Sequence, residues 1–219
     1  MVTLYGVLRS RATRPFWLLR ELGVAFEHVP VIQSYRLPDP QAPDAPFNTA
    51  SPDFLAMNPA SQIPVMTDGD LVLTESMAIA LYLARKYGGP LAPATLAEEG
   101  EAMQWGFAAI TGVEGPALDI LYTYAGKQQD TPEGQAKLVD RTAALARPLG
   151  RIEAHLTTRD WLMGGRFTVA DILLAECVRY VQPHAPAMAP YPRLRDWIAR
   201  CQARRAFQQM LAERNAEPL

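Results

Sequence analysis

The sequence predicts a small α/β unit followed by an all-helical one, and three observations carry that prediction. Up to residue 87 the apolar pattern runs strand, helix, strand, irregular segment, strand, strand, helix. Residues 88–94, opening Gly88-Gly89-Pro90, form a linker at which composition and period both change. From residue 95 to 219 no convincing two-residue alternation remains. The length suits two domains of about 80 and 130 residues, and a chain that is 49% hydrophobic can give each a core.

Taken in order, residues 2–6 (Val-Thr-Leu-Tyr-Gly) read as the first strand. Phe16 to Leu19 with Leu22-Gly23 reads as an amphipathic helix closed by a C-terminal glycine. Pro15 is comfortable only in the first turn, which places the N-cap between Ala12 and Arg14. Phe26 to Ile32 is a second strand. Pro38, Pro40, Pro43, Pro46 and Pro52 forbid a regular helix and predict a long surface loop over 37–52. Pro64 then opens an apolar run, as a proline does at the first residue of a strand; Val65 to Thr67, the turn Asp68-Gly69 and Leu71 to Leu73 make a hairpin. Thr74-Glu75-Ser76 starts a helix that runs to about 87. The unpaired N–H groups and positive dipole end of its first turn suit a carboxylate on a small ligand.

The second half reads as helices throughout. Glu98 to Tyr124 has a helical period interrupted by Gly112, Gly115 and Pro116, and Thr131 to Leu156 is a long helix that Pro148 should kink. Thr168 and Asp171 are spaced for a capping box, with Phe167 against Ile172 as the accompanying staple. Helices near 190–200 and 201–213 complete a bundle. Asp171 is thereby read as a folding device.

Bulk properties exclude several classes. A net charge of −2 without long Lys or Arg runs leaves no electrostatic footprint for nucleic acid. The start Met-Val-Thr-Leu-Tyr is already strand-like, so no signal peptide is expected, and no stretch approaches eighteen apolar residues, so no membrane span is expected. Cys177 and Cys201 fit neither a disulfide framework nor a zinc site, and His28, His155 and His184 match no metal-ligand spacing. A reducing cytoplasm is the default location.

Residues 58–79 carry the most specific signal: Asn58-Pro59-Ala60-Ser61-Gln62-Ile63-Pro64, the hairpin, then Glu75-Ser76-Met77-Ala78-Ile79. This order resembles the glutathione-binding signature of the glutathione transferases. A second family motif is matched by Gly164-Gly165-Arg166-Phe167-Thr168-Val169-Ala170-Asp171, so the resemblance spans nearly the whole chain. It implies a thioredoxin-like α/β domain over 1–87, a linker over 88–94 and an all-helical domain over 95–219. It also implies glutathione as co-substrate, a homodimer, and a site in which Ile63 clamps glutathione through its backbone, Pro64 is cis, Gln62 meets the glycyl end, and Glu75 with Ser76 grips the γ-glutamyl group.

Chemistry is expected at the first strand-to-helix turn, Tyr5-Gly6-Val7-Leu8-Arg9-Ser10-Arg11-Ala12-Thr13-Arg14. A thiol with a pKa near 8.5 is a poor nucleophile at neutral pH, and lowering that value by about two units takes roughly 2.7 kcal/mol of differential stabilisation. A hydroxyl donor, helix-end N–H groups and nearby cations supply such stabilisation. Ser10 resembles the donor of serine-type members; Thr13 is a rival cap and donor, and Tyr5 sits where tyrosine-type members carry the hydroxyl. Arg9, Arg11 and Arg14 bracket the turn. For the electrophile, the family's pocket lies between its domains, and Trp105, Tyr122 and Tyr124 are candidates to line it for a small apolar acceptor.

The first function expected is therefore glutathione transfer to a small electrophile, with glutathione-dependent isomerisation or peroxide reduction as related outcomes. The alternative is a non-catalytic module of the same fold, used for binding or assembly. A glutaredoxin-like reductase needs a cysteine in the first turn, and residues 9–14 contain none.

Overall fold

A computed structural model describes residues 1–217, which divide into two compact units: Met1–Tyr87 together with the segment from Arg205 onward, and Gly88–Arg204. The first unit is built on strands β1 (Val2–Tyr5), β2 (Glu27–Val29), β3 (Val65–Asp68) and β4 (Leu71–Thr74), in the spatial order β2-β1-β3-β4. β1 and β2 run parallel, with Tyr5 opposite Val29, so the chain between them must cross over, and helix α1 (Thr13–Leu22) does so. β1 pairs antiparallel with β3, and β3 with β4 in a hairpin whose turn is Gly69-Asp70, one residue beyond the expected Asp68-Gly69, because Asp68 stays in β3 opposite Leu71. Short α2 (Pro52–Met57) and α3 (Ser76–Tyr87) complete the N-terminal part.

α1 ends as its glycine predicts: Gly23 adopts the left-handed conformation at φ 65°. Phe16, Trp17, Leu18 and Leu19 are fully buried, which a helix achieves only when it is covered on more than one side. Part of that cover is the C-terminal helix of the chain. After the helices of the second unit are numbered it is α10 (Arg205–Ala216); Phe207 packs edge-on against Trp17 at 4.9 Å, and Arg20 bonds the Glu213 carboxylate through Nε at 3.2 Å. The expectation of one helical unit over 95–219 is corrected here. Arg205–Ala216 is helical but groups with the first unit, where Phe207 packs against Trp17 of α1.

Two further expectations change. The second strand, expected over 26–32, is three residues long: Phe26 turns back onto the Phe16 ring at 5.4 Å, and Val31 drops into a cluster with Phe54 and Val65. The proline-rich segment 37–52 is irregular, as expected, and is organised by the buried Asn48, whose amide donates to the Pro40 and Pro46 carbonyls. At its end Pro52 nucleates α2, since a proline in the first turn lacks only an N–H that has no intrahelical partner anyway.

The second unit contains α4 (Leu96–Ala108), a π-helical turn (Ala109–Glu114), α5 (Gly115–Ala125), α6 (Pro132–His155), α7 (Val169–Val178), α8 (Ala185–Met188) and α9 (Pro192–Gln202). Beyond residue 100 the described residues hold no strand, only an isolated bridge between Met163 and Arg166. Thr95 and Thr131 cap α4 and α6 by accepting from Glu98 and Gly134 N–H. The interruption expected at Gly112 takes the form of the π turn, which delivers Pro116 to the first turn of α5. Pro148 lies inside the 24-residue α6 with its ring against Gly112.

α7 is buried along its whole length and is the axis of this unit. The capping box is present: Thr168 N–H donates to Asp171 at 2.9 Å, and Asp171 also accepts from Leu162 N–H at 3.1 Å and from the Trp197 indole at 2.9 Å. Burial pushes this carboxyl up to about 6 against the pull of those donors. At the unit's edge Arg166 forks onto Glu98, with Nη1 at 3.0 Å and Nη2 at 2.5 Å, and with the Ala94 N–H lowers its pKa to about 2.

Candidate functional site

The turn after β1 is shaped by Gly6, whose φ of +143° is accessible to glycine alone; a Cβ there would lie 3.3 Å from the Ile63 Cβ. Gly6 N–H donates to Val29 O at 3.0 Å, and His28 Nε2 donates to Gly6 O at 2.7 Å. The turn is thus pressed onto the Ile63-Pro64 segment and tied to β2. His28 serves structure, as its lack of metal-ligand spacing implied.

Ser10 is half-buried. Its hydroxyl donates to Val7 O at 2.6 Å and accepts from Ala12 N–H at 3.0 Å, a local turn that delivers the chain to α1. Thr13 is 0% exposed and donates its hydroxyl to Ser10 O at 3.2 Å. Ala12 is the N-cap, so neither Ser10 nor Thr13 holds that position. Tyr5 packs on the Val31, Phe54 and Val65 cluster. The structure therefore brings Ser10 to the surface of the turn, makes Thr13 a brace beneath it and makes Tyr5 part of a wall.

The second half of the site is the segment 58–64. The Ile63–Pro64 bond is cis. Asn58 holds the approach to it: its amide donates to Gln62 O at 2.7 Å while its carbonyl accepts from Ala60 N–H at 3.2 Å. Ser61, at φ 56°, donates to Thr49 O at 2.7 Å. Gln62 is exposed, Ile63 half-buried and Pro64 buried.

Glu75 joins β4 to α3 at φ 66°, a left-handed conformation that costs a non-glycine residue about 1 kcal/mol and that recurs at ligand clamps. Its side chain is exposed. Ser76 beside it is 4% exposed and accepts a 2.8 Å bond from Arg14 Nη1, a guanidinium only 1% exposed. That bond links the first turn of α1 to the first turn of α3. Asp68, at the far end of β3, accepts from Tyr82 at 2.7 Å and from Lys86 on α3; Lys86 and then Tyr82 hold its carboxyl below the usual range.

Sequence reasoning missed three supports of this site. The sequence presents Arg14 as one of three arginines around the turn, placed as in serine-type members, and its signal as a buried support is its place beside Pro15-Phe16-Trp17-Leu18-Leu19. Asn58 opens the 58–64 motif, and its support of Gln62 and Ala60 has no signal in the pattern alone. Glu217 had no signal at all: its Oε1 accepts from Leu8 N–H at 2.6 Å and its Oε2 from Arg9 N–H at 3.0 Å, while Arg9 Nη2 reaches the Glu217 carbonyl at 3.3 Å.

The expected acceptor-pocket residues all lie in the second unit. Trp105 is 3% exposed and packs edge-on against His155 at 4.8 Å, Tyr124 pairs with His184 Nδ1 at 2.9 Å, and Tyr122 is 61% exposed. Burial lowers the pKa of both histidines. Trp105 and Arg151, whose guanidinium lies over its ring at 5.0 Å, line a cleft of about 590 Å³ with Thr111, Pro148 and Leu174; Tyr122 and Tyr124 are not among its walls. Among the described residues no cluster of three or more His, Cys, Asp or Glu is placed to hold a metal ion, and no helix is long and apolar enough to cross a membrane.

Residues 1–85 match the family model for the glutathione S-transferase N-terminal domain, and residues 114–205 that for the C-terminal domain. Glutathione S-transferase 3 of Zea mays is 33% identical over 220 residues, covering 95% of this chain and 92% of that protein. Among solved structures, glutathione transferase F7 from Populus trichocarpa superposes with a TM-score of 0.81 at 26% identity, covering 98% of this chain and all of that one. A theta class glutathione S-transferase from Xanthomonas axonopodis pv. citri, with glutathione bound, superposes with a TM-score of 0.76 at 27% identity over 95% of each chain.

Proposed function

The chain belongs to the glutathione S-transferase family, and from that premise we propose that it is an enzyme that binds glutathione on its first unit and activates the thiol as thiolate for attack on a small, electrophilic, apolar acceptor. One observation carries the reading. Ser10, Gln62, Ile63, Pro64, Glu75 and Ser76 stand on neighbouring segments, the first turn lying close against Ile63 at Gly6 and bonded to Ser76 through Arg14. A peptide with two carboxylates and an amine needs such a cradle: backbone groups at Ile63 for its middle, Gln62 for its glycyl end, and the start of α3 for its γ-glutamyl end.

In this assignment Ser10 is the hydroxyl nearest the thiol, with Thr13 and Tyr5 in supporting positions. The dipole of α1 and the cations at Arg9 and Arg11 favour the charged form of the sulfur. The chain works as a homodimer, a reading supported by the family and by Leu71 and Val72, 37% and 44% exposed on β4, the edge strand.

The test is a calorimetric titration with glutathione, followed by turnover of a chloro-nitroaromatic acceptor while thiolate absorbance is recorded. Saturable binding with conjugate formation and a bound-thiol pKa below 8.5 is the expected result. Binding without turnover would favour the non-catalytic module. No binding would remove the cradle assignment altogether, and a monomer by light scattering at micromolar concentration would remove the dimer.

A further inference from the structure

The Leu8 and Arg9 N–H groups both point at Glu217, about 210 residues away in sequence, and its carboxylate takes one bond on each oxygen, 2.6 Å from Leu8 and 3.0 Å from Arg9. The contact is held from several directions. Arg9 Nη2 donates to the carbonyls of Asn215 and Glu217, Arg20 pairs with Glu213, and Phe207 abuts Trp17.

Leu8 N–H shares a peptide plane with the Val7 carbonyl, and in a trans peptide the two point in opposite directions. That carbonyl is the group to which Ser10 donates its hydroxyl proton at 2.6 Å. Glu217 carboxylate, Leu8 N–H, Val7 carbonyl and Ser10 hydroxyl therefore form one hydrogen-bonded chain. A negative charge on the N–H of an amide polarises it and strengthens its carbonyl as an acceptor.

We infer that Glu217 is a positioning residue that restrains thiol activation: through the Val7–Leu8 peptide it holds the Ser10 hydroxyl turned toward Val7 and so away from an acceptor in the site. The inference rests on the assignment of Ser10 as the thiol-facing hydroxyl. The carboxylate adds a second effect of the same sign, since a negative charge beside the turn disfavours a thiolate. The other charged groups around the turn are Arg9, on the carbonyls of the C-terminal segment; Arg11, exposed; Arg14, on Ser76; and the Arg20–Glu213 pair between α1 and α10. None of them reaches the Val7 carbonyl through a peptide plane as Glu217 does.

The experiment is a double-mutant cycle on the full chain with glutathione bound, reading the thiol pKa from thiolate absorbance and from the pH profile of kcat/KM. Glu217→Gln keeps the shape but places an amide N–H against one of the two backbone donors, and Glu217→Ala removes the acceptor entirely; their melting temperatures report any loss of folding. Both should lower the bound-thiol pKa by about 0.5–1 unit. In a Ser10→Ala background the same substitutions should shift it less, because only the direct charge effect remains. Equal shifts in the two backgrounds would overturn the relay, as would no shift or a rise on replacing Glu217 while Ser10→Ala by itself raises the pKa. If Ser10→Ala alone leaves the pKa unchanged, the Ser10 assignment falls and this inference with it.

Discussion

Removing the Ser10 hydroxyl is the perturbation whose size the geometry constrains most. A charge-assisted bond to a thiolate contributes about 1.5–3 kcal/mol, which by itself corresponds to roughly 1.7 pKa units at its midpoint and about 45-fold in rate below the pKa. The hydroxyl has one proton, however, and it lies on Val7 O at 2.6 Å. Turning it to the sulfur forfeits a neutral bond of about 0.5–1.5 kcal/mol, so the net advantage is about 1.2 kcal/mol, roughly 0.9 pKa units or about eightfold. Ser10→Ala should therefore cost about eightfold in kcat/KM at pH values below the bound-thiol pKa, recover at high pH, and leave glutathione affinity nearly unchanged, because the other contacts of the peptide are elsewhere. Losing the acceptor for Ala12 N–H also lowers stability by about 1 kcal/mol, or about 2–4 °C in Tm. The assay is the pH dependence of kcat/KM with thiolate absorbance in parallel, and Thr13→Val and Tyr5→Phe are the controls. A loss of 45-fold or more would refute the competition with Val7, and unchanged curves would remove Ser10 as donor.

Arg14→Met should raise KM for glutathione about tenfold with little change in kcat, since Ser76 loses the 2.8 Å bond that fixes the start of α3; a fall in kcat at constant KM would contradict this. Asp171→Ala strands the donors of Leu162, Thr168 and Trp197 in a buried site and should cost roughly 3 kcal/mol or more, read as a Tm lower by about 6–12 °C; a loss under 1 kcal/mol would show that the site collapses around the gap. Because Glu98 has a folded-state pKa lowered from 4.5 to about 2, its ion pair with Arg166 contributes fully above pH 4.5 and is lost as pH falls toward 2. The Tm gap between the parent and Glu98→Gln should narrow across that window, and a gap that widens on acidification would reverse the sign.

What the sequence displayed and what it hid follow from the range of the interactions involved. Pro64, Gly69, Glu75-Ser76 and the Thr168–Asp171 pair act through neighbours within a few residues, so their spacing reads as a hairpin, with its turn set one residue early, a helix start and a capping box. The placement of α10 depends on Phe207 meeting Trp17, and the shape of the first turn depends on Glu217 meeting Leu8; such pairings leave no periodic trace. The second strand is shorter than its pattern for a related reason: Val31 and Ile32 look like strand residues, but the Val31 side chain belongs to the Phe54 cluster and the Ile32 backbone bonds the Phe47 carbonyl. Ser10 reads from the sequence as a polar residue in a turn, but the bond that takes its proton to the Val7 carbonyl depends on how the turn folds.

The return of α10 to the sheet has a consequence for how the protein is made. A ribosome releases residues 1–87 long before Arg205 leaves the exit tunnel, and until then nothing in the nascent chain supplies the Phe207 ring to Trp17 or the Glu213 carboxylate to Arg20. Helix α1 therefore waits, with its Trp17 ring uncovered on that side, until the whole of the intervening helical unit has been synthesised. Gly88–Arg204 is a compact unit of its own whose last residue leaves the tunnel before α10 does, so it can be complete while α1 still lacks its cover. Chaperone occupancy on stalled nascent chains should persist past residue 204 and fall once the last helix has emerged.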